Sequence, residues 1–209
     1  MMSRIHLYKD RLAIGTLALF NVLVHLWVYD NLEFHRDELL YFSLGIHPAF
    51  GYATVPPLIG WIASLMQLFF GYSLFAVKLF PALLGGALVV FSTKISKELG
   101  GGFYAQVLTG ISIVLLPVAM RAFHLFQPVP LDLFFWTLFL YYTLRFVNTE
   151  NKKYLWYLGV VGGVALLNKY LIVLLFLSLL FSIVFSAHKS IFRNRSFYGG
   201  VLIGMLIFL

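Results

Sequence analysis

The feature that most constrains this 209-residue chain is a series of long apolar runs that recurs along its whole length. The runs lie at about 12–29, 57–70, 74–93, 103–120, 131–147, 154–185 and 197–209. Hydrophobic residues make up 61% of the chain, charged residues only 11%, and the mean hydropathy is +0.92. In a soluble domain roughly a quarter of the residues are charged. A membrane-spanning helix needs about 20 consecutive apolar residues, and several of these runs approach that length. The sequence therefore predicts an all-α fold, a polytopic transmembrane helical bundle.

Two of the runs do not have the length of a single span. The run 57–70 is short and begins at Pro56-Pro57, which favours an interfacial helix at the outer membrane surface. The run 154–185 is too long, because one helix of this length would measure about 48 Å against a hydrocarbon core of about 30 Å. The polar pair Asn168-Lys169 at its middle predicts a break. About seven spans result, at 12–29, 74–93, 103–120, 131–147, 154–168, 170–187 and 197–209, with 30–73 as an outer loop that contains interfacial helices.

The distribution of charge predicts the orientation of these spans. Basic residues concentrate on the cytoplasmic side of membrane proteins. Eleven of the fifteen Lys and Arg lie on one side of the proposed bundle, together with the N-terminus: Arg4, Lys9, Arg11, Lys94, Lys97, Arg145, Lys152, Lys153, Lys189, Arg193 and Arg195. The opposite side holds most of the acids: Asp30, Glu33, Asp37, Glu38 and Asp132. We therefore expect a protein of the cell (inner or plasma) membrane with a cytoplasmic N-terminus and an extracytoplasmic acidic face.

Three further properties bound the possible partners and the extent of the protein. The net charge is +7, but the basic residues form short clusters between apolar runs, so nucleic acid is not a predicted partner. The chain has no cysteine, which excludes disulfides and thiolate metal sites. No small-residue cleavage pattern follows the first run, so we expect a retained first helix. The chain stops at Leu209 inside an apolar run, and we expect this to be the N-terminal part of a longer protein.

The outer loop contains the most informative motifs. Asp37 to Ile46 has helical character and is followed by Pro48, so Asp37 is predicted to lie in a first helical turn, where the helix dipole alone would explain a carboxylate. Other motifs follow in order: Gly51-Tyr52, Pro56-Pro57-Leu58, Leu79-Phe80-Pro81-Ala82-Leu83-Leu84-Gly85-Gly86, Glu98-Leu99-Gly100-Gly101-Gly102, Pro130-Leu131-Asp132-Leu133-Phe134-Phe135-Trp136 and Gly163-Val164-Ala165-Leu166-Leu167-Asn168-Lys169-Tyr170. Together with Arg36-Asp37-Glu38, this series resembles the GT-C glycosyltransferases, in the lineage of protein O-mannosyltransferases and lipid A aminoarabinose transferases. Val55 and Asn168 depart from the family pattern, and Val55 removes an expected polar contact to donor or metal.

The resemblance implies an enzyme that transfers a sugar from a polyprenyl-phosphate donor to an acceptor hydroxyl, with inversion at the anomeric carbon. Because the hydroxyl loses a proton as the new bond forms, a carboxylate must lie within hydrogen-bond reach of it. Asp37 is our choice for this base. Glu38 points about 100° away around a helix and is expected to position loop or acceptor groups. The substrate loop is expected to include Tyr52, Pro56 and Pro57.

The departing phosphate is expected to meet cations, because its negative charge grows in the transition state. Lys78, Lys169 and Arg36 are the candidates for the donor phosphate. Lys78 lies in an otherwise apolar stretch, and its alternative role is to extend its ammonium to the lipid headgroups. Asp132 is either a capping acid at a helix start or, as the resemblance implies, an acceptor-facing carboxylate.

The histidines give weaker signals. His35 and His47 flank the loop helix near Glu33, but their spacing matches no strong zinc pattern, so we predict no metal site and no required cofactor, although a divalent metal stays conceivable. Arg121 and His124 are weak candidates on an outer connection, and His25 carries no functional signal. The expected partners are a polyprenyl-phosphate-linked sugar donor, a lipid, protein or glycan acceptor, and membrane lipids. The alternatives are a multi-pass transporter or flippase of lipid-linked substrates without covalent chemistry, and a membrane scaffold.

Overall fold

The computed structural model describes residues 2–31 and 33–209, with side chains for 10–31, 33–186 and 189–209. The side chains of Arg4 and Lys9, which belong to the predicted cytoplasmic cations, lie outside the described set. The described residues form ten α-helices: α1 (Met2–Trp27), α2 (Arg36–Ser43), α3 (Leu58–Phe70), α4 (Leu74–Glu98), α5 (Phe103–Leu115), α6 (Pro117–Ala122), α7 (Pro128–Thr149), α8 (Lys153–Leu166), α9 (Ile172–Val184) and α10 (Arg195–Phe208). Short 3₁₀ helices occupy Leu44–Ile46 and Ala187–Arg193, and no strand occurs in these ranges. The predicted all-α fold is confirmed.

Helix lengths support fewer membrane spans than the apolar pattern predicts. Among the described residues, two helices are both long and apolar enough to cross a membrane: Asp10–Trp27 within α1, and α4. Five other apolar helices, α3, α5, α8, α9 and α10, have only 13 or 14 residues each. At 1.5 Å per residue these measure about 20 Å, shorter than a hydrocarbon core of about 30 Å. The bundle of about seven spans is therefore not confirmed and stays a prediction.

Two breaks interrupt apolar runs of the sequence. The run 103–120 is divided into α5 and α6 at Leu116, whose extended backbone precedes Pro117. Proline disfavours a helical conformation at the residue before it and has no amide hydrogen to continue the helix. The run 154–185 is divided between Leu166 and Ile172, around Asn168. The side-chain amide of Asn168 donates to the Pro128 carbonyl at 3.0 Å, which joins this turn to the start of α7.

The helices define two ends of the bundle, with α4 packed against α1, α5 and α7 between them. At the end that we call the loop end, the Leu58 amide donates to the Leu167 carbonyl at 3.0 Å, so α3 meets the turn after α8. At the opposite end, Arg145 of α7 forms an ion pair with Glu98 of α4, with Nη1 2.8 Å from Oε1. This ion pair ties α7 to the last turn of α4.

Glycines allow α8 and α10 to pack in parallel at close range. A Cβ atom on Gly163 would lie 2.6 Å from the Gly204 carbonyl oxygen, and one on Gly204 would lie 2.9 Å from the Gly159 carbonyl oxygen. Such distances leave no room for a side chain, so small residues let the two backbones touch. The two helices consequently begin side by side at the opposite end and run together toward the loop end.

Candidate functional site

The site is built around the start of α2. His35 precedes the helix with an extended backbone, and its Nδ1 accepts a hydrogen bond from the Asp37 amide at 3.3 Å. The Glu38 carboxylate accepts in return from the His35 amide at 2.9 Å. This reciprocal arrangement is a capping box, in which histidine stands where serine or threonine is usual. It fixes the first turn of α2, and the expected position of Asp37 in that turn is confirmed.

Glu38 continues from this cap into a buried ion pair. The Nζ atom of Lys78 lies 2.7 Å from Oε1 and 2.8 Å from Oε2 of Glu38, and the two side chains are 1% and 0% exposed. The Phe126 amide also donates to Oε1 at 3.1 Å. Four hydrogen bonds therefore satisfy the buried carboxylate, as a charge removed from water requires. Glu38 joins three segments of the chain at one point: α2, α4 and the connection before α7.

The ion pair with Glu38 bears on both roles expected for Lys78, which were contact with the donor phosphate and extension to the lipid headgroups. Its ammonium reaches neither lipid headgroups nor an open surface in this structure, because it is buried against Glu38. A direct contact with a donor phosphate therefore requires the pair to open, and that role stays a prediction. Sequence reasoning missed the pair. The available signal was that Lys78 places a charge in apolar surroundings on the same side of the predicted membrane as Glu38, forty positions earlier.

Asp37 faces a different direction from Glu38. Its side chain is 38% exposed, with Oδ1 3.4 Å from Nε of Arg36 and Oδ2 3.8 Å from Nδ1 of His35. The Arg36 side chain itself is 90% exposed. The difference between neighbours follows from helix geometry, since consecutive side chains are separated by about 100°. The result is one anchored carboxylate and one accessible carboxylate, with a cation and an imidazole beside the accessible one.

The segment around Tyr52 is held by the tyrosine hydroxyl. That hydroxyl lies 3.2 Å from the Leu44 carbonyl and 3.3 Å from the His47 carbonyl, and it accepts from the Ala49 amide at 3.1 Å. The Tyr52 amide donates to the Val55 carbonyl at 3.0 Å. Tyr52 therefore stabilises the loop through its hydroxyl.

The two predicted prolines have a clear local role. Pro57 is buried and occupies the position just before α3, and Pro56 is half-buried beside it. The fixed φ of proline is compatible with a helix start, where its missing amide hydrogen costs nothing. The indole nitrogen of Trp61, in the first turn of α3, donates to the Ala49 carbonyl at 2.8 Å. The prolines thus direct the chain from the loop into α3.

Asp132 and Lys169 face each other from neighbouring elements. Helix α7 begins at Pro128 and has no acid in its first turn, so Asp132 does not cap it. Asp132 is half-buried and interacts electrostatically with Lys169, although the two do not reach ion-pair distance. Their proximity follows from the hydrogen bond between Asn168 and the Pro128 carbonyl. The two predicted site residues therefore lie at the loop end, near the connection that contacts Glu38.

A buried polar group adjoins the Glu38–Lys78 pair, and sequence reasoning did not identify it. The rings of His25 and His124 stack with centroids 5.9 Å apart, and Asn21 lies one helical turn before His25 on α1. Burial lowers the pKa of His124 from its ordinary value, and repulsion from Lys78 lowers it further, against an opposing attraction from Glu38. His124 is therefore maintained as a neutral imidazole next to the ion pair. No local motif signals this group, because its members come from distant parts of the chain.

Metal ligands are not grouped in this part of the molecule. Among the residues that the structure describes, no set of three or more His, Asp or Glu side chains is arranged to hold a metal ion. Near the start of α2, Asp30, Asn31 and Glu33 line an open cleft of about 630 Å³ with Phe34. The cleft places further carboxylates beside the loop end.

The fold and the site define a helical protein with two helices that are long and apolar enough to cross a membrane, an accessible carboxylate at one end and a buried ion pair that anchors its neighbour. The family model of dolichyl-phosphate-mannose-protein mannosyltransferase matches residues 54–209, and the chain belongs to this family. This family comprises membrane glycosyltransferases of the GT-C type, so the resemblance inferred from the motifs is confirmed. The matched region includes Lys78, Asp132 and Lys169 and begins after Asp37 and Glu38. No curated protein and no solved structure matches the chain.

Proposed function

We propose that this chain contributes the catalytic loop of a glycosyltransferase that moves a sugar from a polyprenyl-phosphate donor to an acceptor hydroxyl of a lipid, protein or glycan. The observation that carries the proposal is the difference in burial and hydrogen bonding between Asp37 and Glu38. Glu38 is buried and makes four hydrogen bonds, whereas Asp37 is 38% exposed at the start of the same helix. An accessible carboxylate on a rigidly held helix start suits a general base.

The reaction proposed for this site is a direct displacement. The acceptor hydroxyl oxygen attacks the anomeric carbon while the bond from that carbon to the phosphate oxygen breaks. The phosphate leaves with the bonding electrons, the hydroxyl proton passes to the Asp37 carboxylate, and the configuration of the sugar is inverted. No redox partner is needed. Catalysis by a positioned base of this kind contributes typically about 10²–10⁴-fold.

Two cations are proposed to receive the leaving phosphate. The Arg36 side chain is 90% exposed beside Asp37, and its guanidinium can bind two phosphate oxygens at once. Lys169 is half-buried at the turn after α8 and has no carboxylate within ion-pair distance among the described side chains. Asp132, across from Lys169, is proposed to face the acceptor. In this proposal Lys78 acts through Glu38 by holding α2, and it contacts the donor only if the pair opens.

The proposed orientation is that the loop end faces the extracytoplasmic side. Its support is the concentration of cations at the opposite end, which includes Lys94, Lys97, Lys152, Arg193 and Arg195. Because these 209 residues contain no cysteine, single cysteines introduced at Glu33 and at Lys152 can each be labelled without background from this part of the protein. A membrane-impermeant maleimide added to intact cells should label the first and not the second. The reverse pattern would remove the proposed orientation.

The test of function is sugar transfer by membranes that contain the full-length protein, with a polyprenyl-phosphate mannose donor. Asp37→Asn should insert normally but lose at least about a hundredfold in transfer rate. Glu33→Gln is the matched control, since it neutralises an exposed acid of the same loop outside α2. Normal transfer by Asp37→Asn would remove this residue from the mechanism. An equal loss in both variants would indicate that the charge of the loop matters, and not a base at position 37.

A further inference from the structure

A basic cleft lies at the end of the bundle opposite Asp37 and takes no part in the proposed reaction. It has a volume of about 440 Å³ and is lined by Lys152, Ser190, Arg193, Asn194, Arg195 and Ser196. The lining comes from two chain segments about forty residues apart, one just before α8 and one that runs into the first turn of α10. It presents three cations, two hydroxyls and one amide, and it contains no carboxylate.

The cations of this cleft have no anionic partner within the described part of the chain. No ion pair involves Lys152, Arg193 or Arg195, and the ion pair nearest in sequence uses Arg145 and Glu98 instead. Glu150, two residues before Lys152, does not pair with it either. Like charges gathered in one open cleft repel one another, and an anion placed between them relieves the repulsion. The cleft is therefore chemically complementary to an anion.

The packing of α8 on α10 explains why the cations converge. The close approach of Gly159 and Gly163 to α10 makes the two parallel helices begin side by side. Their N-terminal ends each carry a partial positive charge, which adds to the field of the side chains. Asn151 accepts from the Lys153 amide at 3.1 Å and Asn194 accepts from the Ser196 amide at 3.0 Å. Since these amides are already used, recognition falls mainly to the side chains.

The surroundings of the cleft favour a lipid as the source of the anion. On α10, directly beyond the cleft, Tyr198, Val201 and Leu202 are exposed, and on α8 Trp156 is exposed. An aromatic residue followed by aliphatic ones is the surface that meets the headgroup layer and then the acyl chains. Basic pockets at the cytoplasmic ends of membrane helices bind anionic headgroups. A free phosphate would use the cations but would leave this apolar surface unused.

The geometry points to a binding site for the phosphate headgroup of an anionic glycerophospholipid, held by Lys152, Arg193 and Arg195 with the acyl chains against α10. The leaflet is the cytoplasmic one if the proposed orientation holds. The positive-inside rule accounts for cations at this end of the bundle, but it does not require them to share one cleft. A lipid site and the positive-inside rule make different predictions for cations at the same end outside the cleft. Only a lipid site requires the cations of the cleft to contribute more to lipid binding than those other cations do.

The experiment measures lipid binding by the full-length protein, by native mass spectrometry from detergent and by thermal protection. Phosphatidylglycerol should bind at least about tenfold more tightly than phosphatidylcholine, since each cation near an anionic headgroup contributes about a factor of five. Arg193→Gln/Arg195→Gln should abolish this preference. Lys94→Gln/Lys97→Gln removes the same charge from the same end outside the cleft and should keep it. An equal loss of the phosphatidylglycerol preference in both double variants would show a diffuse electrostatic attraction of the lipid to this end of the bundle, and it would overturn the proposed site.

Two further arms complete the test. Ser196→Asp places a carboxylate in the cleft, and an acid in the first turn of α10 favours the helix, so this variant should fold and still lose the preference. Retained preference in Ser196→Asp would overturn the proposal. Inorganic phosphate that protects the protein as well as phosphatidylglycerol does would overturn the assignment to a lipid. Asp37→Asn should keep the lipid preference, so failure of the proposed reaction and failure of this site give different results.

Discussion

Removal of Lys78 should strongly destabilise the protein, because it leaves the Glu38 carboxylate buried without its cation. In Lys78→Met, Glu38 would keep the hydrogen bonds from the His35 and Phe126 amides and lose the two from Nζ, at 2.7 and 2.8 Å. Each charge-assisted hydrogen bond contributes about 1.5–3 kcal/mol. The two lost bonds together amount to about 3–6 kcal/mol. Breaking a buried ion pair by removing one partner costs about 3–5 kcal/mol, which agrees with the lower part of that range. We therefore expect a loss of about 3–5 kcal/mol.

The measurement is thermal or denaturant unfolding of the purified protein in one detergent. Lys97→Met is the matched control, since it removes an exposed cation of the same helix that forms no ion pair among the described residues, and it should change stability by less than about 0.5 kcal/mol. Glu38→Gln/Lys78→Met leaves no buried charge, while the glutamine oxygen can still accept from a backbone amide. This double variant should recover about 2 kcal/mol relative to Lys78→Met.

The reasoning would be refuted by a Lys78→Met variant as stable as the Lys97→Met control, or by a double variant less stable than Lys78→Met. The same variants distinguish the two roles of Lys78 in transfer. If Lys78 holds α2 through Glu38, the loss of transfer should follow the loss of stability. If it binds the donor phosphate directly, Lys78→Met should raise the KM for the donor at a temperature where the variant is fully folded.

Three further predictions concern packing, pH and a turn. Gly163→Leu should destabilise the protein by about 1–3 kcal/mol in the same unfolding assay, because a Cβ there would lie 2.6 Å from the Gly204 carbonyl, whereas Gly15→Leu, where the space is open, should have little effect. Since the folded state lowers the pKa of His124 below 6.5, protons bind the unfolded state preferentially as pH falls through that value. Stability should therefore decline on acidification below about pH 6.5, and His124→Gln should reduce this slope; an unchanged slope would contradict a buried neutral imidazole. Asn168→Ala should cost about 1–2 kcal/mol through loss of the 3.0 Å hydrogen bond to the start of α7, and a variant of unchanged stability would show that this bond does not hold the turn.

The breaks between helices illustrate what local sequence predicts and where it falls short. The polar pair at Asn168 predicted a break in the run 154–185, and the helix does end at Leu166. In the run 103–120 the apolar pattern predicted one span, although Pro117 divides it. Hydropathy averages over a window and does not register one missing amide hydrogen. At that position the proline predicts the helix break better than the hydropathy does.

The candidate site shows a similar division. The motif around Asp37 predicted a helix start with an accessible acid, because capping and the helix dipole act within one turn. The functional roles assigned to Asp37, Arg36, Asp132 and Lys169 stay predictions that the proposed variants test. The capping role considered for Asp132 was wrong, since α7 begins four residues earlier, at a proline that starts helices readily.

The amino-acid sequence by itself determined the helical class, the apolar character of the helices, the family and the start of α2, all of which depend on residues a few positions apart. Only the tertiary structure decided that Lys78 pairs with Glu38, that His25 stacks on His124, and that cations at the starts of α8 and α10 share one cleft. These contacts join residues forty to a hundred positions apart. They depend on how each helix is rotated about its axis and where each turn directs the next helix. Neither quantity is encoded in hydropathy, because an apolar helix that is hydrophobic on all sides gives no preferred face.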